Sequence, residues 1–329
     1  MRSMSQLGND LYTGKASFPF ISRRKVWFAV AALLVLGSVL VPFVKPVHFS
    51  IEFTGGSQFT VSGLTNPDQS IATRAVQTVV PDADSRVTTV GSDTVRVETD
   101  QMTNDQTQQT SAALAEAYGV DTSEVTSSFI GPVWGADVTR QSLWGLAIFL
   151  ALTFVILALY FRTWKMSAAA VVGVVDVLVV TVGAYALFGF AISPAAVIGF
   201  LTVLAYSLYD TTVVFDKIRE NTTEDGEGSG RTFGESVNLA VNQTLIRSIN
   251  TTVVAILPTG AILFIGAFWL GAQTLTDISL SIFVGTIVAA YSTLFVAAPL
   301  YSLFRENEPK VKAHDTRVLA AREKAALPG

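Results

Sequence analysis

The segment AYSLYDTTVVFDKIREN, from Ala205 to Asn221, places two aspartates six residues apart at the end of a long apolar run. Asp216 is followed by charged residues, which is typical of a helix leaving a membrane. Asp210 still lies among valine, leucine and tyrosine. A carboxylate at the centre of a membrane helix costs about 2.5–3.5 kcal/mol even on a lenient insertion scale. Asp210 therefore needs a partner, a water-filled cavity or a function.

The composition around this segment predicts an integral membrane protein. Half of the 329 residues are hydrophobic and 15% are charged, whereas a soluble chain carries about 25% charged residues. A bilayer core about 30 Å thick needs about 20 apolar residues per helix. Glycine and proline in 189–194, and the LGAQT segment at 270–274, divide the longest stretches. We expect six spans, at 26–44, 141–161, 166–188, 194–216, 247–270 and 274–304.

The distribution of basic residues predicts the orientation of these spans. Of the 22 lysines and arginines, 17 lie in four segments that six spans place on one side, including the terminal segments 1–25 and 305–329. Both termini are therefore expected in the cytoplasm. The first span has about 19 apolar residues and no small-residue cleavage site after it, so it is expected to remain uncleaved. The acidic insert 222–231 is expected to be a flexible loop without chemistry.

The segment 45–140, on the opposite side, predicts a small folded domain. It contains 5 basic and 12 acidic residues. Alternating polarity predicts a strand over 48–64, interrupted at Gly55–Gly56. Further elements are predicted as a helix over 66–80, two strands over 85–100, a helix over 103–119 and a strand over 124–133. This order is ferredoxin-like α+β. No metal-ligand or nucleophile–base pattern occurs in it, so we expect a binding or mechanical role, with no cofactor, metal or nucleic acid.

Residues near Asp210 supply a candidate ionisable site. Asp176 lies ten residues after Met166, about 15 Å into the third span at 1.5 Å per residue. Tyr206 and Ser207 precede Asp210 by four and three residues, so they share its helical face.

Arg247 begins the fifth span and is the candidate partner of Asp210. Asn250 and Thr251 share the face of Arg247 by their spacing, and the arginine is expected to reach towards Asp210. One interpretation is a fixed ion pair that joins two helices. Polar contacts between membrane helices stabilise their packing by under about 1 kcal/mol on average. A charged pair whose only role is to join two helices would therefore cost more to bury than it contributes. The favoured interpretation is a carboxylate that takes up and releases a proton, with Arg247 tuning it.

The segment Ala205–Asn221 resembles the G-Y-S-x-N-D-x-x-V-V-x-D-R-I-R-E-N signature of the SecF family, which belongs to the RND superfamily. Phe53, Thr54, Gly55 and Gly56 match its FTGG motif. Further similar segments are YFRTWKMSAAAVVGVVDV (Tyr160–Val177), NQTLIRSINTT (Asn242–Thr252) and GTIVAAYSTLFVAAPL (Gly285–Leu300). Two residues depart from the pattern, because Ala205 replaces glycine and Tyr209 replaces the asparagine before the aspartate.

The resemblance implies an RND-type half of six transmembrane helices in the bacterial plasma (inner) membrane. It implies an accessory role in Sec protein export driven by the proton-motive force, with Asp210, Arg247 and Asp176 on the proton path. The implied partners are SecD, the SecYEG channel, YajC, the translocating preprotein and membrane lipid.

Other functions remain as alternatives. A small-molecule exporter of the same superfamily is disfavoured by the single half and the outer domain of about 95 residues, since such pumps usually join two halves with larger domains. A purely structural anchor would leave Asp176 and Asp210 unexplained. Enzymatic catalysis has no supporting motif.

Overall fold

The computed structural model describes residues 4–224, 230–266 and 273–326. The end of the predicted fifth span, most of the turn at 270–274 and the middle of the 222–231 insert lie outside the described residues.

Within the described residues, six helices are long and apolar enough to cross a membrane, which confirms the predicted number of spans. They are α2 (Arg24–Val44), α6 (Pro132–Phe161), α7 (Trp164–Phe188), α8 (Pro194–Glu224), α9 (Phe233–Ile265) and a composite sixth span. The sixth span consists of α10 (Gln273–Ser292), a π-helical segment (Thr293–Ala297) and α11 (Ala298–Arg305).

Two of these helices begin well before the apolar runs that predicted them. Helix α6 begins at Pro132 rather than at 141, with proline in its first turn, where a missing N–H costs no intrahelical hydrogen bond. Helix α9 begins at Phe233 rather than at 247, because Thr232 and Glu235 form a capping box there. These added turns contain charged residues, so they were not part of the charge-free runs that predicted the spans. Charged residues do not prevent a helix.

The outer domain has the predicted ferredoxin-like topology. Its elements are β2 (Gly56–Val61), α4 (Gln69–Val79), β3 (Ser85–Val90), β4 (Thr94–Thr99), α5 (Asn104–Tyr118) and β5 (Val125–Ile130). The strands are antiparallel in the order β3-β4-β2-β5. Phe59 on β2 and Val97 on β4 face each other and are fully buried against α4 and α5. The opposite face of the sheet carries polar residues, among them Arg96 and Glu98.

The predicted strand over 48–64 is wrong in its first half. Residues His48–Phe49 form a short strand, β1, and Ile51–Thr54 form one helical turn, α3, before β2 begins. Strand β1 pairs in parallel with β6 (Ala191–Ile192), which lies in the connection between α7 and α8. Alternating polarity did not reveal the helical turn because four residues are too few to show a helical period.

The helical core lies between α7, α8 and the sixth span, which have the largest buried shares of the six. At one end of the bundle, Phe215 on α8 packs against Phe161 on α6 and Tyr301 on α11, with ring centroids 5.9 and 5.6 Å apart. Two further helices, which were not predicted from the sequence, pack at this end: α1 (Met4–Tyr12) and α12 (Pro309–Ala326). They place both terminal segments on the same side of the bundle.

Candidate functional site

Asp210 is buried between α8 and α9, with 5% of its surface exposed. Its hydrogen-bond partner is Ser248, whose Oγ lies 2.9 Å from Oδ1 and 3.1 Å from Oδ2 of the carboxylate. Ser248 itself is 1% exposed. The acid therefore faces protein rather than lipid, and a single hydroxyl spans both of its oxygens.

Arg247, which we expected to reach Asp210, makes its hydrogen bond elsewhere. Its Nη2 donates to Tyr209 Oη at 3.2 Å, and both side chains are exposed. In the described part of the chain, no ion pair within 4 Å joins Arg247 to Asp210, although its charge is near enough to act on the carboxylate. Tyr209, one of the two residues that depart from the family pattern, thus binds the guanidinium.

The polar face predicted for α9 points outward. Asn250 is exposed, and Thr251 Oγ1 donates to the carbonyl groups of Arg247 and Ser248 in its own helix. An α-helix turns by about 100° per residue, so Ser248 lies on a different face from Arg247. Ser248 follows the buried Thr244 by four residues and Leu245 by three, a spacing that could have identified it from the sequence.

The two other predicted members of the Asp210 face are held in the protein interior. Ser207 is 1% exposed. Tyr206 is half-buried, and its hydroxyl has no hydrogen-bond partner within the described residues. The predicted shared face of Tyr206, Ser207 and Asp210 is therefore polar but incompletely hydrogen-bonded.

Asp176 occupies a separate buried position on α7, with 6% of its surface exposed. Among the described residues, its Oδ2 has no hydrogen-bond partner. Three residues earlier, the carbonyl oxygen of Gly173 accepts a hydrogen bond of 3.0 Å from Ser292 Oγ at the end of α10. Asp176 therefore lies at the junction of α7 and the sixth span, and the hydrogen bonds of Asp210 do not include it.

The π-helical segment of the sixth span connects to both acid-bearing helices. Thr293 is the first residue of this segment, and its Oγ1 atom lies 3.0 Å from the Oγ1 atom of Thr211. Thr211 directly follows Asp210. The preceding residue, Ser292, bonds α7 near Asp176. Single π-helical turns are rare in proteins as a whole, but many of those that occur lie at functional sites. This segment was not predicted from the sequence, although the polar pair Ser292–Thr293 in an apolar helix was an available signal.

The FTGG motif turns the chain from α3 into the sheet. Gly55 has a φ of 77°, and a Cβ there would lie 2.9 Å from the Cα of Pro132 at the start of α6. Gly56 has a φ of 144°, and its Cβ would lie 2.4 Å from the carbonyl oxygen of Thr99. Both positions require glycine, because an L-residue is strained at these angles and has no space. Phe53 and Thr54 complete α3, so the motif joins the outer domain to α6.

Charged residues connect the polar face of the sheet to the ends of the spans. Arg86 on β3 donates a hydrogen bond to the carbonyl oxygen of Gly189, just after α7. Arg96 on β4 is 9% exposed, and its burial lowers its pKa. The negative charges of Glu98 and Asp277 act in the opposite direction and raise it. Asp277, on α10, accepts a hydrogen bond of 2.6 Å from Ser193 Oγ. The sixth span thus packs against α7 and α8 and carries a charge that acts on Arg96 of the outer domain.

Comparison with known proteins places these features in a family. The family model for the C-terminal part of the protein export membrane proteins SecD and SecF matches residues 109–307. The model for the SecD/SecF GG motif matches residues 41–62, which include Gly55 and Gly56.

Curated relatives share most of the chain. The SecF protein translocase subunit of Streptomyces coelicolor is 38% identical over 332 residues, which cover 100% of this chain and 88% of that protein. The SecF subunit of Mycobacterium leprae is 36% identical, covering 95% of this chain and 69% of that protein. The SecDF subunit of Thermus thermophilus is 28% identical over 87% of this chain and 38% of its own length.

A solved structure shows the same architecture. The crystal structure of SecDF from Thermus thermophilus, a translocon-associated membrane protein, matches with a TM-score of 0.77 and 26% identity. The match covers 89% of this chain and 39% of that one, as expected for an RND-type half. SecDF in its super-membrane-facing form matches with a TM-score of 0.64 and 25% identity, over 92% of this chain and 40% of that one. The chain is therefore a SecF member of the SecD/SecF family of protein-export membrane proteins.

Proposed function

We propose that this chain is an accessory subunit of the bacterial Sec translocase that uses the proton-motive force, together with SecD, to drive or complete preprotein export. The observation that carries the proposal is the buried Asp210 on α8, hydrogen-bonded through both oxygens to Ser248 on α9. The translocase names of its relatives disfavour the small-molecule exporter.

The Ser248 hydroxyl suits a carboxyl group that changes protonation. A serine hydroxyl donates one hydrogen bond and accepts others, so it can donate to the ionised carboxylate and accept from the protonated acid. Neither state of Asp210 is then left without a partner between the helices. A fixed ion pair would instead favour the ionised state alone.

Arg247 supplies the difference between the two states. When Asp210 is ionised, the guanidinium is attracted from Tyr209 towards the carboxylate; when Asp210 is protonated, it returns to Tyr209. The pair α8–α9 thus has two preferred arrangements, selected by one proton. At a membrane potential of about 100 mV, each inward proton releases about 2.3 kcal/mol, which is available for this movement.

The sixth span provides a route from Asp210 to the outer domain. Thr293 contacts the residue after Asp210, and Ser292 bonds α7 close to Asp176. At its other end the same span carries Asp277, which bonds Ser193 and lies in the field of Arg96 on the sheet. A shift of α8 would therefore be transmitted through one continuous helix to the domain formed by 45–140.

The proposed partners and location follow from membership of the family. Association with SecD is supported by the relative in which SecD and SecF are one chain, SecDF. We propose that the SecYEG channel, YajC and the translocating preprotein complete the assembly. The proposed location is the bacterial inner membrane, with segments 1–25 and 305–329 in the cytoplasm and the domain on the far side.

The test is gradient-dependent export after substitution of Asp210→Asn. The variant is assembled with SecD in membrane vesicles, and preprotein translocation is measured with and without an imposed proton gradient. The matched control is Asp216→Asn, because Asp216 lies on the same helix but bonds Tyr160 at 3.0 Å, away from Ser248. We expect Asp210→Asn to abolish the gradient-dependent part and Asp216→Asn to retain it. Unchanged stimulation in Asp210→Asn would remove the mechanism.

A further inference from the structure

A cavity of about 780 Å³ lies between residues 14–25, which lead into α2, the start of α9, the end of α11 and the helix α12. We call it the terminal cavity. Its walls include four basic and three acidic residues from these separate parts of the chain. It opens at the end of the bundle that carries both termini.

The three acidic residues of the terminal cavity are already engaged. Glu306 accepts a hydrogen bond of 3.0 Å from Arg24, and Glu235 accepts one of 2.8 Å from Arg322. Asp315 accepts a hydrogen bond of 2.8 Å from the backbone N–H of Phe233. Since Phe233 is the first residue of α9, the positive end of that helix offsets the charge of Asp315.

Two basic residues of the terminal cavity remain uncompensated. Lys25 and Arg231 are exposed, and neither forms an ion pair with any residue that the structure describes. The hydroxyl of Ser302, which is 1% exposed and also lines the cavity, has no hydrogen-bond partner among the described residues. The cavity thus presents two free positive charges and a free hydroxyl, which is the chemistry that binds a phosphate group.

An apolar surface adjoins these charges. Directly after Lys25, helix α2 exposes Val26, Val30 and Leu33, which are 56%, 40% and 71% exposed. In a membrane this face contacts acyl chains, and Lys25 lies where the apolar face ends. A ligand with a phosphate group and attached acyl chains would satisfy both surfaces at once, whereas free phosphate would use only the charges.

We propose that the terminal cavity binds the phosphate headgroup of an anionic phospholipid, held by Lys25 and Arg231 and by a hydrogen bond from Ser302. Its acyl chains lie along the exposed face of α2. Basic pockets at the cytoplasmic ends of membrane helices bind such headgroups by the same attraction. The site is distinct from the Asp210 pair and does not depend on the proposed proton cycle.

The test measures lipid binding to the purified full chain in detergent. The probes are short-chain phosphatidylglycerol, short-chain phosphatidylcholine and inorganic phosphate. We expect phosphatidylglycerol to bind more tightly than phosphatidylcholine. The double substitution Lys25→Gln and Arg231→Gln is expected to weaken phosphatidylglycerol binding roughly thirtyfold, as two basic residues near a membrane surface should.

A matched control separates a site from general charge attraction. Lys312→Gln with Lys324→Gln removes the same charge from exposed positions on α12 that do not line the cavity. The proposal holds if this control binds phosphatidylglycerol as the parent chain does. Equal binding by both double variants would overturn it. The proposal would also be overturned if the Lys25→Gln and Arg231→Gln substitutions weakened the binding of inorganic phosphate but not that of phosphatidylglycerol. That result would identify a site for free phosphate.

Discussion

Ser248 Oγ lies within 3.1 Å of both carboxylate oxygens of Asp210, while the adjacent Arg247 binds the adjacent Tyr209. Two adjacent residues of α8 thus bind two adjacent residues of α9. The Asp210–Ser248 pair is buried and the Tyr209–Arg247 pair is exposed. In the proposed mechanism, a proton acquired by the buried pair changes the attraction felt by the exposed pair. Protonation of one side chain would then alter the packing of two helices.

Ser248→Ala should weaken the α8–α9 contact and reduce gradient-driven export. Removal of the hydroxyl leaves the buried carboxylate without its partner, and polar contacts between membrane helices contribute up to about 2 kcal/mol. We expect a lower thermal unfolding temperature in detergent together with a loss of gradient-dependent translocation. Ser248→Thr keeps the hydroxyl and should retain most of both. If alanine and threonine behave alike, the hydroxyl has no such role.

Tyr209→Phe should impair the return of Arg247 without disturbing the fold. The substitution removes the hydroxyl that accepts the guanidinium hydrogen bond but keeps the ring. An exposed charge-assisted hydrogen bond of about 1 kcal/mol corresponds to roughly a fivefold reduction in the gradient-stimulated export rate. Tyr209→Asn restores an acceptor and should recover the rate in part. A Tyr209→Phe rate equal to that of the parent chain would rule out this use of the hydroxyl.

Gly183→Ala should destabilise the packing of α2 on α7. A Cβ at position 183 would lie 2.3 Å from the Cβ of Ser38, so the two helices would have to separate. Forcing an extra methyl group into a packed contact costs about 1–3 kcal/mol. Thermal unfolding in detergent measures the effect, and Gly37→Ala is the control, because a Cβ there meets no atom within 4 Å. Equal stability of the two variants would contradict the close contact.

Gly56→Ala should destabilise the outer domain in particular. The residue combines a φ of 144° with a Cβ position 2.4 Å from the carbonyl oxygen of Thr99. Backbone strain of this kind costs about 1–3 kcal/mol before the clash is counted. Hydrogen exchange should show faster opening of β2 and β4, with the membrane helices little changed. Gly145→Ala, with open space around its Cβ, should leave exchange in the domain unaltered.

The six spans and the ferredoxin-like order were predictable because each depends on a long pattern of apolar residues or on turn signals. The partner of Asp210 was not. Arg247 and Ser248 are adjacent in sequence but lie about 100° apart on the helix, so the choice between them depends on how α9 is rotated against α8. The π-helical segment at Thr293–Ala297 also escaped prediction, because one extra residue in a turn does not change the apolar pattern and the polar pair Ser292–Thr293 does not by itself specify a π-turn.

Infrared difference spectroscopy of the reconstituted protein, with and without an imposed proton gradient, observes the carboxyl group itself. We predict that the gradient changes a carboxylic-acid C=O band, that Asp210→Asn removes this change, and that Asp216→Asn leaves it in place. A spectrum in which Asp210→Asn responds to the gradient as the parent chain does would show that Asp210 does not change protonation, and would contradict the proposed mechanism.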